Sequence, residues 1–125
     1  MLTSKSWENI RTILFFKNSS GKCPVEEFLD DLSGKEAQKI TWIMQLIEEI
    51  DKVPAQYFKK LKNTEDIWEI RAQTGSNIFR ILGFFDANIF IATNGFRKKS
   101  EKTPAHEIYL ATKRKNEYHI NQRRK

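Results

Sequence analysis

The chain has 125 residues, 39% hydrophobic and 12% aromatic, enough to bury the core of one domain spanning 1–125. Its formal net charge of +6 is uneven: from Arg97 to Lys125 ten bases face three acids, while the preceding 96 residues hold 12 bases and 13 acids. No stretch approaches the roughly 20 apolar residues of a membrane span, the N-terminus lacks a basic-then-apolar signal pattern, and the single cysteine, Cys23, precludes an internal disulfide, so a cytoplasmic protein with no membrane partner is expected.

Ile10 to Phe16 is dense in β-branched and aromatic residues and runs into Asn18-Ser19-Ser20-Gly21, which predicts a first strand and a turn. Pro24 then suits a first helical turn, and Val25, Phe28, Leu29 and Leu32 follow the spacing of one apolar helix face up to Gly34. Ser33 and Glu36 have capping-box spacing and open a second helix. Its apolar set is Ala37, Ile40, Ile43, Met44, Ile47 and Ile50, closed by Asp51-Lys52-Val53-Pro54. The two helices are expected to form a hairpin.

Three extended segments follow, Ile67 to Ala72, Asn77 to Phe85 and Ile89 to Phe96, with short turns that imply an antiparallel meander. Alternation puts Trp68 and Ile70 toward the core and Ile67, Glu69 and Arg71 on the other face. Thr103-Pro104 reads as a cap and first-turn proline of a terminal helix, with Ala105, Ile108, Tyr109 and Thr112 along one face, and Asn121 to Lys125 is expected to fray. The fold class is therefore α+β: N-terminal strand, two-helix hairpin, three-stranded antiparallel meander and C-terminal helix.

The basic C-terminal segment suits a polyanion, because clustered Lys and Arg release counterions from phosphates; a solvated helix end accounts for the same charge equally well. His106 and His119 stand far apart and join no ligand-spaced cluster, and the five glycines are isolated, so neither a metal nor a small-molecule cofactor is expected. Arg71, Arg80 and the Arg97-Lys98-Lys99 run lie on or just after three successive strands, where they can converge on a phosphodiester. Salt bridges to Glu69, Asp66 or Asp86 are the competing role. RNA carries its own nucleophile, the 2′-hydroxyl, and Glu69 is a candidate base or, more simply, an ion-pair partner. Lys59, Lys60 and Lys62 can bind flanking phosphates or merely line a solvated loop, whereas Trp68 and Phe96 read as core.

Taken in order, Lys59-Lys60-Leu61, Ile67-Trp68-Glu69-Ile70-Arg71, Phe79-Arg80-Ile81-Leu82, Gly95-Phe96-Arg97-Lys98-Lys99-Ser100 through Thr103-Pro104, and Ala111 make the chain resemble a toxin of the RelE/ParE superfamily, in its phage-derived HigB-like branch. That resemblance covers nearly the whole chain. It implies a RelE-like fold and the toxin of a type II toxin-antitoxin system that cleaves messenger RNA in the ribosomal A site without metal. A cognate antitoxin, a helix-turn-helix HigA-like protein, would neutralise it. By position, Arg71, Arg80 and Arg97 carry the phosphate-gripping and acid–base roles, and Lys98 and Lys99 belong to the branch's basic motif. The chain departs from the RelE pattern at Glu69, where a lysine is typical, and near Thr103, where a tyrosine would stand. A ParE-type inhibitor of DNA gyrase and a noncatalytic nucleic-acid-binding phage protein are the alternatives.

Overall fold

The structure, a computed structural model, describes residues 9–99 and 102–124. Period-two patterning and short turns produce the meander: β3 (Trp68–Thr74), β4 (Asn77–Asp86) and β5 (Ile89–Lys98) pair antiparallel through the turns at Gly75-Ser76 and Ala87-Asn88. The sheet does not stop there. A further strand, β2 (Phe58–Lys60), pairs antiparallel with β3 where a solvated loop is one of the two expectations for Lys59 and Lys60, and β1 (Thr12–Phe15) pairs parallel with β5. The result is a five-stranded mixed sheet of order β1-β5-β4-β3-β2, not a simple meander. β2 escaped detection because three residues are too few to establish a period.

Helices α1 (Pro24–Asp30) and α2 (Gly34–Glu49) cover one sheet face and α3 (Ala105–Arg123) covers the other. The capping box forms as expected, with the Ser33 hydroxyl accepting from the Glu36 amide at 3.2 Å and the Glu36 carboxylate accepting from the Ser33 amide at 3.1 Å. At the other end of α2, the Arg11 guanidinium donates to the carbonyls of Ile47, Ile50 and Asp51, satisfying acceptors that a helix terminus leaves unpaired. The two helices meet the sheet more than each other: α1 packs chiefly on β5 and α2 on β3.

Two hydrophobic clusters result. Ile40, Ile43, Ile47, Ile70, Phe79 and Phe90 centre the first, and the half-buried Trp68 packs against it as alternation predicts. Ile67, Leu82, Phe84, Ile91 and Ala111 centre the second, between the sheet and α3. Ile67 and Glu69 are buried on the other strand face, as alternation predicts, so both faces of β3 are covered there.

Helix α3 docks largely through polar ties, because it carries few apolar side chains. Thr93 is the extra residue of a bulge where the β4–β5 register shifts, and its freed carbonyl accepts from Arg114 at 2.9 Å. Asn94 Nδ2 donates to the Glu107 carboxylate at 3.0 Å, and the Tyr118 hydroxyl donates to Asp86 at 2.7 Å. The buried face of α3 thus runs through Ile108, Ala111 and Tyr118, while Tyr109, expected on it, is 66% exposed. The expected fraying also differs, since the helix continues to Arg123; Lys125 lies outside the described residues.

Close approach fixes two glycines. A Cβ on Gly83 would overlap the Ile91 carbonyl, and one on Gly95 would overlap the Phe28 ring, so α1 sits directly on β5 backbone. Gly83→Ala is expected to destabilise by about 1–3 kcal/mol in urea denaturation, whereas Gly34→Ala, with nothing within 4 Å of the new methyl, stays within about 1 kcal/mol of wild type.

Burial, then the bond to Asp86, raises the Tyr118 pKa above the ordinary tyrosine value of about 10. A raised phenol pKa contributes stability that is complete below the unfolded-state value of about 10 and is lost as pH climbs through the folded value. Tyr118→Phe should abolish that alkaline component and cost about 1 kcal/mol at neutral pH, measured by denaturation across pH.

Candidate functional site

Cross-strand register brings two cations side by side. Arg71 on β3 stands directly opposite Arg80 on β4, an arrangement that like charges disfavour without a counter-ion. Glu69, two residues before Arg71 and on the same face, is that counter-ion: its carboxylate lies 3.5 Å from Arg71 Nε and 3.5 Å from Arg80 Nε. Both Glu69 and Arg80 are buried, at 4% and 7% exposure. The Thr103 hydroxyl completes the group by donating to Glu69 Oε1 at 2.9 Å. Thr103 was expected to cap α3. Instead Pro104 occupies the N-cap, without a side-chain cap bond, and the threonine ties the entry of α3 to the sheet.

The group is charged and under-bonded. Desolvation lowers the Arg80 pKa, the Glu69 carboxylate opposes that shift, and Arg71 reinforces it. Arginine remains protonated nonetheless. Glu69 with its two arginines thus leaves a net +1 in a poorly solvated place. Among the described residues, Arg71 Nε and Arg80 Nε are the buried side-chain nitrogens without a hydrogen-bond partner. Both face the Glu69 carboxylate at 3.5 Å, an ion-pair contact without hydrogen-bond geometry.

A cleft of about 400 Å³ opens beside them, lined by Arg71, Gln73 and Arg80 from the sheet, Gln56 and Tyr57 from the loop before β2, and Lys39 from α2. The loop is held there by Arg71, whose amide donates to the Tyr57 carbonyl at 2.8 Å and whose guanidinium donates to the Ala55 carbonyl at 3.2 Å. Paired guanidiniums, a lysine and two amides at a concave opening suit an oxyanion such as a phosphodiester. Among the described residues, no group of three or more His, Cys, Asp or Glu side chains is placed to hold one metal ion.

The other sequence-derived candidates are dispersed. Arg97 pairs with Phe79 and so lies on the α2 face, opposite Arg80; its guanidinium sits over the Phe79 ring and 3.8 Å from Glu36. Glu36, Lys39 and Gln73 line a second cleft, so Arg97 neighbours the site without joining the Arg71–Arg80 pair. Lys98, opposite Ile78, falls on the Arg80 face, and Lys99 is exposed just beyond β5. Ser100 lies outside the described residues. Lys59 and Lys60 are exposed on β2, the edge strand, opposite Glu69 and Trp68, and Lys62 is exposed in the next turn. Lysines there also discourage edge-to-edge pairing.

Gln56, Tyr57, Gln73 and Lys39 were missed by the sequence reading. No local pattern marks them, because three separate chain segments supply them. Phe96 and Trp68, read as core, do pack against the two clusters.

Fold and cleft together define a small α+β protein with a buried Arg80 and a half-buried Arg71 side by side at an anion-suited opening. Residues 27–116 match the family described as Phage derived protein Gp49-like (DUF891), and the chain belongs to that family, which falls within the RelE/ParE-like toxin superfamily. No curated protein sequence matches the chain.

Glu69→Gln keeps the side chain's size and removes the charge between the arginines. Its expected cost is roughly 3 kcal/mol, as for breaking a buried ion pair. Inorganic phosphate should restore part of that loss by occupying the cationic site; urea denaturation with phosphate, against chloride at matched ionic strength, measures both effects.

Proposed function

We propose that this protein is the toxin of a type II toxin-antitoxin system and that it cleaves messenger RNA on the ribosome. The observation that carries the proposal is the Arg71–Arg80 pair, held on Glu69 through the Nε of each arginine, at a cleft in a chain of the Gp49-like family. In RNA the 2′-oxygen attacks the adjacent phosphorus, the bond from phosphorus to the 5′-oxygen breaks, and the 2′-hydroxyl proton is lost as the leaving oxygen gains one. A protein that orients the phosphate and stabilises its added charge supplies much of what this reaction needs.

Arg71 and Arg80 fill that role as fixed cations, since neither guanidinium gives up its proton at neutral pH. Glu69 acts through them as a positioning residue, because its carboxylate is committed to both arginines and to Thr103. Lys98, Lys99 and Arg97 then bind phosphates to one side of the cleft, and Lys59, Lys60 and Lys62 bind those to the other. A helix-turn-helix antitoxin of the HigA-like kind would neutralise the toxin by laying acidic side chains over this cationic opening.

The test adds purified protein to translating ribosomes and to naked messenger RNA and maps new 5′ ends. Cleavage is expected on ribosomes, and Arg80→Ala should lower it by about 10²–10³-fold while circular dichroism shows the fold retained. Full activity in that variant sinks the proposal. Intact RNA together with blocked DNA supercoiling would support gyrase inhibition instead.

A further inference from the structure

Beside the arginines the cleft is lined by Tyr57, which carries a second aromatic, Trp42, against its ring. Trp42 on α2 is 48% exposed although it is one of the largest apolar side chains in the protein. It stands outside the helix's buried stripe of Ile40, Ile43, Met44 and Ile47. Tyr57, which lines the cleft, meets Trp42 edge to face at 5.7 Å between centroids, and Lys39 Nζ lies 5.5 Å from the Trp42 ring centre. Arg71 grips the same loop from beneath, through the carbonyls of Ala55 and Tyr57. A single exposed aromatic is ordinary on a protein surface. One that is braced by a second ring, adjoins a lysine and is wired by its neighbour's backbone to a phosphate-suited arginine is built like a stacking platform.

We propose that Trp42, braced by Tyr57, stacks on a nucleobase of a single-stranded RNA segment whose phosphate occupies the Arg71–Arg80 cleft, with Lys39 bridging ring and backbone. This rests on the RNA reading given above and extends it to how the substrate is held. Stacking tolerates any base, since each presents a π-face, so the platform contributes affinity and register rather than sequence choice.

The test measures fluorescence anisotropy of a short labelled 2′-O-methyl RNA, which cannot be cleaved, against the same strand carrying one abasic residue at each position in turn. Wild type is expected to bind the intact strand at least about fivefold more tightly than one abasic strand, the lower end of base–aromatic stacking. Trp42→Ala should erase that difference, Trp42→Phe should keep most of it, and Arg80→Ala should weaken all strands alike. Equal binding of intact and abasic strands by wild type overturns the platform, as does a base preference that survives Trp42→Ala. Those outcomes leave the nuclease reading to the ribosome assay: Arg80-dependent cleavage without base discrimination removes the platform alone, and base discrimination without cleavage removes the nuclease alone.

Discussion

A single carboxylate allows two arginines to face each other across neighbouring strands. Two unit charges about 4 Å apart interact by about 4 kcal/mol at the effective dielectric of a protein surface, so Arg71 opposite Arg80 would by itself oppose the β3–β4 pairing. Glu69, equidistant from both, turns that repulsion into an attraction on either side. The carboxylate in turn requires its environment to be built correctly. Thr103 supplies a hydrogen bond from the segment entering α3, and thereby ties the start of the last helix to the ion-paired strands.

The site lies where construction of the sheet changes. β2 pairs with β3 only as far as Ile70. Past that point the edge of β3 is left to the loop holding Ala55 and Tyr57, and α2 leans over it with Lys39 and Ile43. A full-length β2 would fill this edge with strand and leave no cleft. The shortness of β2, which hid it from pattern reading, is therefore what opens the site beside Arg71.

The charge of the basic end is divided between fold and solvent. Part of its charge holds the fold: Arg114 secures the β5 bulge, Lys115 donates to the Glu65 carbonyl, and Arg97 sits against Glu36. Burial lowers the Arg114 pKa, with Glu107 and Glu117 opposing the shift, as suits a structural cation. The charge of Lys113 and Arg123 on α3, and of Arg124 at its C-cap, is exposed to solvent.

Local information determined much of the architecture from the sequence alone. Period-two and period-3.6 patterns, the Ser33–Glu36 box, Pro24 and the two hairpin turns act over a few residues, so they located the meander, both N-terminal helices and the core-facing side of Trp68 and Ile70. Arg71, Arg80 and Glu69 were legible as neighbours because β3–β4 pairing follows from a short turn. Only the tertiary structure could decide the rest, because it depends on residues far apart in the chain. β1 joins the sheet parallel to a strand more than 70 residues later. Helix α3 covers the face that Glu69 occupies and leaves Arg97 on the other. The cleft then takes its lining from α2, a loop and two strands, a juxtaposition for which no stretch of sequence carries a period.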